Sequence, residues 1–238
     1  QIKEIFKLTQ KYKNSSNRGE LWLRLAELYV EKANIVDNRR QDEYDQKLRD
    51  FQAGKTNAKP VLELTEAKAF NRKAIQLYEW FLKEFPKDQK ISQALFFLGY
   101  NNYELGNIQI GTQYYTELMT KFPDSKYTGE AHFAIGEYHF ENEKWSDAYK
   151  EYAYLIKNKK HSLHIIAFYK GAWCLYRLGK TNEGITYLDY IIKSGQAAKA
   201  KSNTSSKQIN TARLESEALK DLVVFFADVG ETKRAISY

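Results

Sequence analysis

The sequence predicts an all-α protein, a right-handed α-solenoid of stacked helix–turn–helix repeats, and three observations carry that prediction. The first is a self-similarity at spacings of 37, 37 and 36 residues. Ala74, Gly111, Ala148 and Gly184 fall at matching positions, followed four residues later by Tyr78, Tyr115, Tyr152 and Leu188. The dipeptide Phe85-Pro86 also returns as Phe122-Pro123. A fixed period of this kind marks units that cannot bury an apolar face alone and stack to do so. The second observation is composition. Hydrophobic residues make up 43% of the chain, which argues against disorder, and three prolines in 238 residues suit long helices better than turn-rich β structure. The third is apolar recurrence at three- and four-residue steps, the period of a helix face.

Taken in order, residues 1–18 read as an N-terminal helix, with Ile2, Ile5, Phe6 and Leu8 apolar and a break at Asn14-Ser15-Ser16-Asn17 that offers N-cap residues. An expanded first repeat spans 19–88. Its first helix carries Leu21, Leu25, Leu28 and Tyr29 on one face and is expected to continue into a polar insertion at 37–61. Gly54 to Pro60 reads as a loop, and a partner helix follows from about Leu62 to Glu84. Repeat 2 (92–125), repeat 3 (129–161) and repeat 4 (163–195) are shorter and more regular. Gly106-Asn107 and Gly179-Lys180 make short turns, with glycine supplying a left-handed cap. Repeat 3 has Glu143 at that place, so its turn is expected to be made differently. Residues 196–210, rich in Ala, Lys, Ser, Asn and Thr, read as a flexible loop. Residues 211–238 read as a truncated fifth repeat, with a helix from Ala212 to Asp228, a turn at Gly230 and a second helix begun at Ala235. The sequence starts at Gln1 rather than Met, so it is expected to be a piece of a longer protein, with any targeting segment outside it.

The recurring pattern resembles the tetratricopeptide repeat. That family has a Leu and a small residue in its first helix, then an aromatic, a turn glycine, a small residue, an aromatic and a closing proline. Here repeat 2 carries Leu98-Gly99, Tyr103, Gly106, Gly111, Tyr115 and Pro123. Repeat 3 carries Ile135-Gly136, Phe140, Ala148 and Tyr152, and repeat 4 carries Ala172, Tyr176, Gly179, Gly184 and Leu188. Repeats 3 and 4 lack the closing proline. More narrowly, the runs Leu77 to Pro86 and Gly171 to Gly179 look like large bacterial cell-envelope repeat proteins, those related to gliding motility above all. That likeness implies a periplasmic or envelope-associated location, with a cytoplasmic one otherwise. It also implies a place in a membrane-associated complex reached through partners.

The resemblance implies a protein-binding scaffold whose first helices line an inner wall. Counting from Gly99, Gly136 and Ala172 puts Phe96, Tyr100 and Tyr103, then Phe133, Glu137 and Phe140, then Tyr169, Trp173 and Tyr176 on that wall. This surface is aromatic with few charges, and Tyr and Trp give large contact area at modest entropy cost. Tyr103, Phe140 and Tyr176 also suit gap filling between helices. The wall lacks the Lys/Asn/Arg set that clamps a peptide carboxylate. The expected partner is therefore a protein, bound as an extended peptide or a helix, and no small-molecule substrate or cofactor is read from the sequence.

Chemistry finds little support. His132 and His139 lie seven apart, and two histidines alone make a poor metal site. His161 and His164 flank a turn. Cys174, the only cysteine, reads as a buried, inert thiol and excludes an intrachain disulfide. No phosphate-cradling loop, nucleophile elbow or zinc-spaced set is present, so neither catalytic nor metal-binding residues are assigned. No apolar run approaches the ~18 residues of a membrane span. The formal charge of +7 is spread along the chain, which leaves docking on nucleic acid or an anionic polymer as the weaker alternative.

Overall fold

Eleven helices and no strand make up the described residues of the computed structural model, which are 1–200 and 206–235. They are α1 (Ile2–Lys11), α2 (Arg18–Gln52), α3 (Thr65–Glu84), α4 (Ile91–Glu104), α5 (Ile108–Lys121), α6 (Thr128–Glu141), α7 (Trp145–Lys157), α8 (His164–Arg177), α9 (Thr181–Ala200), α10 (Ser206–Asp228) and α11 (Thr232–Ala235). The chain divides into two units, Gln1–Tyr127 and Thr128–Tyr238. Within each, every helix packs against its neighbours in the chain. This is the stacking of an α-solenoid built from helix–turn–helix repeats.

The repeated small residues sit where paired helices cross. A Cβ on Gly99 would clash with the edge of the Tyr115 ring of α5, and one on Gly136 would lie 2.7 Å from Tyr152 of α7. At Gly184 it would meet Phe225 of α10 at 2.8 Å and the Ala172 carbonyl oxygen at 3.0 Å. Ala26, Ala74, Ala148 and Ala172 are likewise fully buried. Tyr78, Tyr115 and Tyr152 fill the space the small residues leave, at no more than 1% exposure. Each such ring removes most of its apolar surface from water, worth about 1.5–3 kcal/mol on the scale for a large core side chain.

The turn in repeat 3 corrects the sequence expectation. Glu143 adopts φ 58, alongside Gly106 at 80, Gly179 at 74 and Gly230 at 74. The amide of Lys144 donates to the carbonyl of His139 at 2.8 Å, as Asn107 does to Asn102 and Lys180 to Leu175 at the same distance. The turn is thus the same double-bonded helix stop, made here by a residue with a Cβ.

The helix ends at Phe85 and Phe122 follow from the next residue. Proline disfavours the α region for its predecessor, and both positions sit at ψ near 55–58. Asp88 and Ser125 then bond back to Phe85 and Phe122. Repeat 3 lacks the proline yet closes alike, His161 donating to Asn158 at 3.0 Å.

Three other expectations need correction. Residues 196–200 are not loop, because α9 runs on to Ala200. Ala and Lys are strong helix formers, and Gly195 lets the helix approach Glu215 of α10 closely. Likewise α10 starts at Ser206 rather than near 212, and only 201–205 of that stretch fall outside the described residues. Asn17 occupies the N-cap of α2 but makes no side-chain capping bond. In repeat 1, α2 continues for 35 residues, well past the segment paired with α3.

Candidate functional site

The predicted wall residues occupy i, i+4 and i+7 positions of three first helices, which puts each trio on one helical stripe. None of the nine is buried, although their neighbours Leu98, Gly99, Ile135, Gly136 and Ala172 are.

In the first unit, α4 carries Phe96, Tyr100 and Tyr103. Phe96 stacks on Tyr127 at 5.2 Å and meets Phe97 and Tyr115. The Tyr100 hydroxyl donates to Asn34 Oδ1 at 3.0 Å, tying α4 to α2. Burial, reinforced by the Glu104 carboxylate, pushes its phenol up to about 12. Tyr103 shares a 2.8 Å hydrogen bond with Thr112 and meets Tyr115 edge-on.

In the second unit, α6 and α8 carry the other six. Glu137 accepts from the Tyr152 hydroxyl and from Lys170 Nζ, the latter at 2.8 Å. The same ammonium lies 4.5 Å from the Phe140 ring centroid, and Phe140 meets Trp145 edge-on. Phe133 leans on Tyr152. Tyr169 Oη and Trp173 Nε1 both donate to Asp221 Oδ2, at 2.7 and 3.0 Å. Burial first, then the bond to Asp221, pushes the Tyr169 phenol up to about 12. Tyr176 stacks on Phe225 at 4.4 Å.

Two features of this surface were missed in the sequence. Lys170 and Asp221 put charge among the rings of the second unit, so those stripes are less apolar than expected. They stand in the repeat frame where repeats 2 and 3 have Phe97 and Ala134, so no shared residue type marks the position. Their roles arise from pairing between successive repeats, a relation that intervals within one repeat do not record. Tyr103 and Tyr176 do pack between helices, as gap filling predicts, and Phe96 does so too.

Of the groups considered for chemistry, His139 keeps a buried Nδ1 without a hydrogen-bond partner, while the others are engaged. Cys174 is fully buried, and burial pushes its thiol up to about 12, so it stays protonated. His132 Nδ1 lies 2.7 Å from Glu151, and its ring stacks on Tyr154. His161 lies 3.6 Å from Glu130. His164 is buried, with Nδ1 donating to the Leu155 carbonyl and Nε2 beside the Tyr190 hydroxyl. Among the described residues, no three His, Cys, Asp or Glu side chains gather as a metal site.

A tetratricopeptide-repeat family model matches residues 93–125 and 166–194. These segments coincide with the pairs α4–α5 and α8–α9. No curated protein matches the sequence. Solved structures do match. MamA AMB-1 shares 13% identity over 84% of this chain and 88% of its own, with a TM-score of 0.50. A MamA mutant shares 14% over 83% and 87%, also with a TM-score of 0.50. A tetratricopeptide repeat protein from Parabacteroides merdae ATCC 43184 aligns over 99% of this chain and 84% of its own, at 14% identity and a TM-score of 0.39. At such identities the MamA likeness speaks to fold alone. Together, that likeness and the family model support an α-solenoid fold, with tetratricopeptide-type repeats at 93–125 and 166–194.

Proposed function

We propose that this chain is a non-catalytic scaffold that binds a partner protein, as an extended peptide or a helix, on the aromatic stripes of its first helices. The observation that carries the reading is that these rings stay partly open while hydrogen bonds and ring contacts hold them in place. Asp221 fixes Tyr169 and Trp173, and Asn34 fixes Tyr100. Side chains already ordered lose little entropy on binding, so more of the gross attraction from apolar burial, roughly 25 cal/mol per Å², survives as affinity.

A peptide array probed with the intact chain tests this. Tyr100→Ala and Trp173→Ala should each weaken capture while the helical circular dichroism is unchanged. Capture that survives both substitutions overturns the reading. Repeating the assay across a salt series addresses the alternative, because docking on nucleic acid or another polyanion loses affinity steeply with salt.

The reading extends to a bacterial envelope or motility assembly, supported by the resemblance of the Leu77 to Pro86 and Gly171 to Gly179 runs. Among the described residues no helix is long and apolar enough to cross a membrane. Cell fractionation with an antibody to this chain tests the location, and a purely cytoplasmic signal contradicts it.

A further inference from the structure

A small cleft in the first unit lies where α2, α3 and the last turn of α4 meet. Asn34 and Asp37 of α2, Lys68 and Asn71 of α3, and Glu104 of α4 line it, and it has room for about one water molecule. Two observations there are unexplained by packing. The first is an uncompensated pair of acids. Burial of its carboxyl, followed by the Asp37 charge, raises Glu104 above its ordinary value. Among the described residues, neither has an ion-pair partner. The arginines nearest in sequence are committed elsewhere, Arg39 to Glu66 at 3.2 Å and Arg40 to Glu43 at 3.0 Å. The second is independent of charge. Asn71 is 4% exposed, and its Oδ1 is buried with no donor. An orphaned buried acceptor is costly, so its persistence calls for a missing partner.

We infer that this cleft is a binding site for a hard divalent cation of the calcium class, held by the carboxylates of Asp37 and Glu104 and the amide oxygen of Asn71. Such ions take oxygen ligands from carboxylates, amide carbonyls and water together, and this is the donor set present. One ion answers both observations, since it supplies the missing positive charge and accepts the Asn71 lone pair. Glu104 is exposed, which gives an entry path and lets solvent at the cleft mouth complete the coordination. Lys68 at the rim is the one internal competitor. Its ammonium is not within ion-pair distance of either carboxylate, so it opposes the ion without replacing it. The site would pin the long α2 helix to α3 and α4 at the level where α2 leaves the repeat body.

The test uses the full chain stripped of metal. Terbium is added and its luminescence excited through tyrosine, with Tyr100, bonded to the cleft residue Asn34, as the nearby antenna. Calcium is then titrated in as competitor, and the thermal midpoint is followed with calcium alone. A saturable signal displaced by calcium, and a midpoint that rises with calcium, are expected. Asp37→Asn and Glu104→Gln should each weaken binding by at least about ten-fold, while the distant Glu117→Gln leaves it unchanged. Asn71→Asp should tighten binding and Asn71→Leu weaken it, a pair of opposite signs that a merely structural asparagine would not produce. Lys68→Met should tighten it. Absence of saturable binding, or binding that survives both Asp37→Asn and Glu104→Gln, overturns the inference. A response to a lysine-rich peptide but not to metal overturns it as well, because the cleft would then be an ammonium pocket.

Discussion

Glu143 holds a left-handed backbone that costs a residue with a Cβ roughly 1–2 kcal/mol, and three glycines make the equivalent turns elsewhere in the chain. Glu143→Gly should therefore stabilise the protein, by about 0.5–1 kcal/mol once the greater freedom of glycine in the unfolded chain is deducted. Urea unfolding of the two forms measures this directly, and a lower midpoint for the glycine variant would mean that the Glu143 side chain does unrecognised stabilising work. A second contrast lies in two tyrosines at the same repeat position. The Tyr78 hydroxyl is buried without a partner, and burial drives its phenol far up. The Tyr152 hydroxyl donates to Glu137. Tyr78→Phe removes an unsatisfied group and should be neutral or stabilising. Tyr152→Phe removes a bond to a charged acceptor and should cost about 1.5–3 kcal/mol. Equal effects in the two would show that the hydroxyl environments are alike after all.

At the scale of helix pairs, the crossing glycines differ in how much room they have. A methyl on Gly99 has nowhere to go, because Tyr115 is itself fully buried and cannot swing away. Gly99→Ala should cost about 1–3 kcal/mol by overpacking. A methyl on Gly171 meets the flexible end of Ile156 at 3.1 Å and the edge of Tyr187 at 3.3 Å. There the gain of roughly 1 kcal/mol in helix propensity offsets the squeeze, so Gly171→Ala should leave the thermal midpoint unchanged or raise it. These crossings are also why the fold could be read from sequence: the same steric demand recurs from pair to pair and writes a small residue and, in three of the four, a ring at a fixed interval. What could not be read lacks that repetition. The tail of α9 past Lys193 is composed of Ser, Gly, Gln, Ala and Lys, which suit a loop as well as a helix until α10 is there to pack against. The rings of the candidate site were legible because Phe96, Tyr100, Tyr169 and Trp173 keep helical spacing. Lys170 and Asp221 were not, since each acts on a different repeat from its own. The Asp37, Asn71 and Glu104 cleft was hidden for a similar reason, being assembled from three helices across the insertion that breaks the period.

A stack of helix pairs has a stability close to a sum of repeat and nearest-neighbour terms, so a local defect should be felt nearby more than at a distance. Cys174 makes this measurable without engineering. It is the only thiol in the sequence and is fully buried beside Ala148, Tyr152, Leu155 and Ala167. With its thiol held protonated up to about 12, it reacts with a disulfide reagent at mildly alkaline pH only when its surroundings open. The labelling rate therefore reports the opening free energy of that part of the stack, about ten-fold for every 1.4 kcal/mol. Gly136→Ala crowds Tyr152, a direct neighbour of Cys174, with a Cβ 2.7 Å from its ring. An overpacking cost of about 1–3 kcal/mol at that crossing should accelerate labelling roughly 5- to 140-fold. Gly99→Ala places a comparable defect between α4 and α5, which contribute nothing to the Cys174 cluster, and should change the rate by less than about two-fold. If both variants accelerate labelling equally, the chain opens as one cooperative body, and the nearest-neighbour description of its stability fails.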